Sequence, residues 1–302
     1  MSSTIVMFDR PTYHSPRYRR IFLERYIQLL TLGQVAHFKT FGFLLVPQLF
    51  SESEIARITK TADDHWLKLR DGKPIDPDHG QGEGAFVEQD AALTNMVTAD
   101  RIYGAVESIL GSGFLWAGSE GNVTVNSEHP FHPDRPGDEA ELAYTRLKIN
   151  LYLDPITEEN GCLRVIPGSH RMPLHGDIEP DSRHQRRGLS VRPFDVPGPG
   201  MPSISLESNP GDAIFFNQSL WHAIFNGWAG RRYIALKFAA KPETDKHLAS
   251  LHYYSSDMFE PHSNWATNED LKVQSMVGTL PALGAKKVPD FVPFRDDRPA
   301  MT

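Results

Sequence analysis

From residue 113 onward the chain breaks into short runs rich in β-branched and aromatic residues, each bounded by Gly, Pro or Asn: GFLWAG, GNVTVN, RLKINLYLD, CLRVIPG, LSVRPF, SISLES, GDAIFFN and RRYIALKFAA. Many short strands with irregular spacers point to a double-sheet jelly roll or a partly closed barrel. The stretch 171–202 interrupts this series with few apolar residues and many of Arg, Pro, His and Gly, so a long insertion or lid is expected there.

The first third reads as helical. Residues 17–30 carry apolar positions at helical spacing, and HFKTFGFLLVPQLF reads as a helix end running into a short strand at 42–46. Ser51 with Glu54 three residues later forms a capping-box signature for a helix through about 70, and Gly111 is placed to end another helix over 99–110. After 241 the pattern is weak, with HLASLHYYSSDMF as a candidate final helix. The expectation is one domain over 1–302, with a mainly helical part (1–112), a β core (113–240) and a C-terminal extension (241–302).

The formal net charge of −7 argues against a nucleic-acid partner, which a basic excess would serve. Cys162 is the only cysteine, so no internal disulfide forms, in keeping with a reducing compartment. No apolar run reaches the ~18–20 residues of a membrane span, and the first residues lack an apolar signal core. A cytoplasmic protein without a membrane partner is the expectation; the sequence says nothing of oligomeric state.

Within the β-rich region stands H-P-F-H-P-D, residues 129–134. His132 and Asp134 are two apart, so on a strand both side chains point to one face, and Pro133 keeps the pair extended. A later strand supplying His222, from W-H at 221–222, would complete two imidazoles and one carboxylate. That facial set leaves three positions open on an octahedral metal, the arrangement of non-haem Fe(II) oxygenases. Zinc hydrolases use similar pairs, so the triplet alone leaves both chemistries open.

Two further stretches narrow the choice. LKINLYLDPITEENGCLRVIPGSHR (147–171) resembles the phytanoyl-CoA dioxygenase family of Fe(II)/2-oxoglutarate oxygenases, where an Asp-Pro strand exit leads to an E-N-G-x-L turn and a P-G-S-H loop. GDAIFFNQSLWHAIFNGWAGRRYIALKF (211–238) is similar to the family's distal half, in which a Gly-Asp turn precedes the distal metal histidine and an arginine follows. The resemblance implies a mainly β fold with flanking helices around a double-stranded β-helix (jelly-roll, cupin-like) core. It also implies iron held by His132, Asp134 and His222, with 2-oxoglutarate and O₂ as cosubstrates. The activity implied is hydroxylation of an unactivated C–H bond of a small organic molecule, with release of succinate and CO₂. Desaturation, epoxidation or ring closure by the same chemistry is the alternative. A cupin-like metal-dependent hydrolase or isomerase and a non-catalytic binding protein are the competing classes.

The family's oxoacid arginine falls on Arg231 or Arg232. Strand parity favours Arg231: if it points inward, Ile234, Leu236 and Phe238 point outward to an apolar, helix-covered face and no ammonium is buried there. Asn126, Lys148 and Asn150 are further candidates for oxoacid contact, and Arg183, Arg186, Arg187 and Tyr233 for substrate contact. The arginine run also fits a solvated face, and Tyr233 and Tyr152 also fit core packing. By parity His129 should face away from His132, and Trp221 away from His222 into core beneath the helices; His170 and Arg171 should be turn and surface residues.

Overall fold

The computed structural model describes residues 30–76, 78–125, 128–178 and 196–291. Two sheets dominate it. The larger has six strands, in the order β1 (Phe43–Val46), β8 (Ala213–Asn217), β5 (Arg146–Tyr152), β10 (Arg232–Ala239), β3 (Leu115–Val123) and β2 (Gln81–Gly84). The smaller has four, β4 (His129–His132), β9 (His222–Ile224), β6 (Leu163–Val165) and β7 (Ile204–Leu206). Every pairing is antiparallel, and the order interleaves early and late strands, as in a jelly roll.

Alternation assigns the faces. Leu147, Ile149 and Leu151 of β5 and Ile234, Leu236 and Phe238 of β10 are completely buried in one apolar layer. The layer includes Ile55, Ile58 and Trp66 of α2 (Glu52–Leu69) and Val273, Met276 and Leu280 of the C-terminal helices. Each such side chain contributes about 1.5–3 kcal/mol on burial, which fixes the strand parity. The opposite face then carries Lys148, Asn150 and Tyr152 on β5 and Tyr233, Ala235 and Lys237 on β10. It looks toward the smaller sheet, where Phe43, Tyr152, Ile214 and Phe216 pack with Leu163, Val165 and Leu206.

The helices begin where the sequence punctuates them. α1 (Leu32–Phe41) ends at Gly42, whose φ of 83° is the left-handed conformation that glycine adopts freely. Helix α2 carries the capping box read from Ser51 and Glu54, and α4 (Asp100–Leu110) stops at Gly111 after α3 (Ala91–Thr98). Gly121 on β3 is a close-approach position: a Cβ there would lie 2.3 Å from the Phe86 ring, which stacks on Trp66 of α2.

The structure corrects several boundaries. Most of GFLWAG and the first half of GNVTVN lie on one strand, β3, because Gly118 carries the chain through at a φ of 99° instead of ending it. Strand β2, QGEG, has no apolar residue to announce it and exists by pairing with β3. The segment after 241 is more structured than its pattern implied. It forms α6 (Asp245–Tyr254), α7 (Ser263–Ala266), α8 (Leu271–Val277) and α9 (Leu280–Gly284), with a five-residue α5 (Glu139–Ala143) earlier in the chain. The run LSVRPF and all but the last residue of the 17–30 helix lie outside the described residues. Of the 171–202 segment, the two described ends pack down: Ile178 and Met201 are buried against the outer face of the smaller sheet with Phe131, Trp221 and Phe225. Trp221 is therefore core, but beneath this segment and not beneath the helices.

Candidate metal centre

His132 closes β4 and His222 opens β9, and the two stand directly opposite across the antiparallel pair, with ring centroids 4.5 Å apart. Asp134 follows two residues after the end of β4. One ligand atom from each of the three lies within 4.8 Å of the others. Both imidazoles are oriented alike: Nδ1 of His132 lies 2.8 Å from the Pro130 carbonyl and Nδ1 of His222 2.8 Å from the Leu220 carbonyl. A carbonyl can only accept, so Nδ1 carries the hydrogen in each ring, and Nε2 is left with a free lone pair. Those two Nε2 atoms face Asp134 Oδ1, at 4.0 Å from His132 and 3.7 Å from His222.

The electrostatics favour metal-ready protonation states. Burial works against the Asp134 carboxylate, but Lys148, the two imidazoles and Arg135 outweigh it and hold its pKa well below the usual carboxylate range. Burial, then the neighbouring His132, lowers His222 to about 3, so its ring stays neutral at physiological pH.

Arginine parity resolves as expected. Arg231 is 1% exposed, donates through Nη1 to the Gly161 carbonyl and places its guanidinium carbon 5.7 Å from the centre of the Tyr152 ring. Gly161, at a φ of 91°, is the glycine of the E-N-G-x-L turn, and a Cβ there would lie 2.9 Å from Arg231 Nη1. The turn motif and the buried arginine thus form one unit. Arg232 points the other way, with Nη2 2.6 Å from Asp154 and Nη1 2.7 Å from Asp63 of α2.

Asn150 and Tyr152 share the inner face with Arg231. Asn150 Oδ1, the Tyr152 hydroxyl and Arg231 Nε are buried with no hydrogen-bond partner; the first two lie near each other yet short of a hydrogen bond. Buried polar atoms without partners are rare. With Asn122 Nδ2, four such atoms lie on the inner face, which leaves it polar groups free to meet a bound molecule.

Residues 38–225, more than half of the sequence, match the phytanoyl-CoA dioxygenase (PhyH) family. The chain belongs to this family. Among curated relatives, the ectoine dioxygenase of Bordetella bronchiseptica is 23% identical over 218 residues, 66% of this chain and 71% of that protein. The peroxisomal phytanoyl-CoA dioxygenase of Rattus norvegicus is 28% identical over 139 residues, 43% of this chain and 35% of that one. HygX from Streptomyces hygroscopicus, solved with nickel and 2-oxoglutarate bound, superposes with a TM-score of 0.57 at 18% identity, covering 70% of this chain and 88% of that one. SnoK, a non-heme α-ketoglutarate-dependent carbocyclase from nogalamycin biosynthesis, gives 0.51 at 18% identity, covering 70% and 84%. At these identities the two structures establish the shared fold.

In this PhyH-family chain His129 and His170 fall elsewhere than sequence reasoning placed them. Lys148 reaches Asp134 Oδ2 at 3.2 Å, which pairs it with the carboxylate. His129 opposes Ile224 while His132 opposes His222, so three positions on β4 span two on β9. That bulge restores His129 to the face of His132, with ring centroids 6.4 Å apart, and defeats the parity argument, which assumed an uninterrupted strand. His170 is buried against Gly42 instead of lying on the surface, and Arg171 donates to the Lys39 carbonyl. Tyr233 faces inward, 5.6 Å from the Tyr152 ring, and burial pushes its hydroxyl up to about 12. Asn126, Arg183, Arg186 and Arg187 lie outside the described residues.

Two groups went unread in the sequence. Glu120 of β3 and Lys237 of β10 form an ion pair on the inner face, one strand over from Lys148. Arg135, next to Asp134, donates to the Tyr254 carbonyl at the end of α6 and so ties the ligand loop to the C-terminal helices. Local patterning carries no signal for either, since both depend on contacts between segments distant in the chain.

Proposed function

We propose that this PhyH-family dioxygenase binds Fe(II) through His132, Asp134 and His222 and grips the distal carboxylate of 2-oxoglutarate with Arg231, assisted by Tyr152 and Asn150. The observation that carries the reading is the convergence of two bare Nε2 atoms and one carboxylate oxygen, with a buried, under-bonded arginine on the inner face. Bound iron(II) with 2-oxoglutarate would supply oxidative decarboxylation to succinate and CO₂, with one atom of O₂ entering succinate and the other a C–H bond of the substrate. The chain's part is to hold the ligands in fixed tautomers, to present a planar fork to the oxoacid and to orient the target carbon. Hydroxylation is the proposed outcome, since Asp134 keeps its place in the ligand set.

A metal-dependent hydrolase would have no use for an arginine buried on the inner face and held there by the E-N-G-x-L turn, which disfavours that class. The inner wall also bears on the substrate. Glu120, Asn122, Tyr233 and Lys237 share the inner face of β3 and β10, and His129 stands on the face of His132. Charged and amide groups sheathe a polar molecule better than a saturated acyl chain, so we read the substrate as a small polar molecule.

Helices from both ends of the described chain share one apolar layer, in keeping with a single oxygenase domain. No helix among the described residues is long and apolar enough to cross a membrane. A cytoplasmic setting, suggested by the lone, buried Cys162, belongs to the same proposal.

Anaerobic addition of Fe(II) and then 2-oxoglutarate should produce a visible charge-transfer band, and admission of O₂ should release succinate. Absence of both refutes the reading.

A further inference from the structure

The Asp134 carboxylate uses its two oxygens differently. Oδ1 faces the Nε2 atoms of His222 and His132, at 3.7 and 4.0 Å. Oδ2 turns away and lies 3.2 Å from Lys148 Nζ. The lysine comes from the centre of β5, where it opposes Phe216 on one side and Lys237 on the other. Its ammonium sits 5.9 Å from the Phe216 ring centre, and its side chain is 14% exposed. Beyond it the Lys237–Glu120 pair continues the row, and the Glu120 carboxylate favours the Lys148 charge as well as pairing with Lys237.

A largely buried ammonium is costly unless paired, and the row supplies the pairing. The open matter is what it accomplishes. A carboxylate beside a metal can bind through one oxygen or through both. With His132 and His222 in place, one-oxygen binding by Asp134 leaves three octahedral positions, which is what a chelating oxoacid plus O₂ requires. Two-oxygen binding leaves one too few. We propose that Lys148 is a positioning residue that keeps Asp134 monodentate by holding Oδ2 away from the metal. This moves Lys148 from the oxoacid contacts, where the sequence put it, to the control of coordination number. The inference rests on the metal site proposed above.

The two roles separate in a measurement without oxoacid. Co(II) is added to the metal-free full-length protein, and its visible absorption, which reports coordination number, is recorded for wild type, Lys148→Met and Lys148→Arg. If Lys148 restrains Asp134, the Met variant shows an altered Co(II) spectrum and Arg restores the wild-type one. With Fe(II) in place of Co(II), the Met variant then needs about tenfold more 2-oxoglutarate for half-saturation of the charge-transfer band, at the lower end of the range for residues that orient metal ligands. If the Met variant keeps the wild-type Co(II) spectrum and only its 2-oxoglutarate requirement rises, Lys148 is an oxoacid contact and the proposal is overturned. A spectral change that arginine does not reverse overturns it too. Should the Met variant melt before binding can be read, Lys148→Gln serves as the uncharged variant. Failure of the wild type to bind Co(II) at all would instead remove the metal site itself.

Discussion

Arg231 and Arg232 are adjacent, equally basic and opposite in fate, which makes them a sharp test of the site. Arg231 offers a planar fork, and the Gly161 carbonyl takes one donor at Nη1 while Nε has no partner. Replacing it by lysine keeps the positive charge but removes the second parallel bond a guanidinium makes to a carboxylate. A hydrogen bond to a charged group contributes about 1.5–3 kcal/mol, so 2-oxoglutarate affinity should fall by about 10- to 140-fold. Arg232→Lys loses the paired contacts to Asp154 and the bond to Asp63 on α2. These groups are only partly buried, so the expected loss is about 1 kcal/mol of stability, with oxoacid affinity essentially unchanged. The assay is anaerobic titration of the Fe(II) protein with 2-oxoglutarate, followed by the charge-transfer band, with thermal melts of both variants. If Arg232→Lys loses oxoacid affinity and Arg231→Lys keeps it, the parity argument and the assignment built on it are wrong.

Asp134→Asn should weaken metal binding by at least about 10- to 100-fold and reduce succinate release to background, as measured by metal titration and product assay. Gly161→Ala forces a Cβ to 2.8 Å from the Gly227 Cα at a left-handed φ and crowds Arg231. It should destabilise the fold by about 1–3 kcal/mol and raise the 2-oxoglutarate KM together, and a variant that loses stability with an unchanged KM would uncouple the turn from the arginine. Glu88 is buried and accepts from Trp116 Nε1 and Ser119, yet burial outweighs these bonds and raises its pKa above 4.5. The folded protein therefore binds more protons there than the unfolded one, so stability falls as pH rises from 4.5 through the folded pKa. Glu88→Gln should raise the melting temperature at pH 7 and make no difference below pH 4.5; a lower melting temperature at pH 7 would show that the carboxylate is stabilising.

Much of the fold could be read because its determinants are local. The Ser51–Glu54 capping box, the Gly111 stop and the alternation of Ile234, Leu236 and Phe238 are short-range patterns, and the structure has all of them. The apolar alternation even chose between Arg231 and Arg232, because a buried Lys237 on the helix side would have had no compensation. By contrast, QGEG could not be recognised as a strand, since an edge strand of polar residues forms only when β3 offers it hydrogen bonds.

The sequence by itself determined which side chains are candidates for the metal centre, the extended His132-Pro133-Asp134 pair and the inward parity of Arg231, since these follow from neighbours within a few residues. Tertiary structure alone decided that a bulge turns His129 onto the metal face, that Lys148 serves Asp134, and that Glu120 pairs with Lys237. Those choices depend on register between strands distant in the chain. Register is set by the packing of whole faces against helices and the opposing sheet, a sum over many side chains that no single stretch of sequence contains.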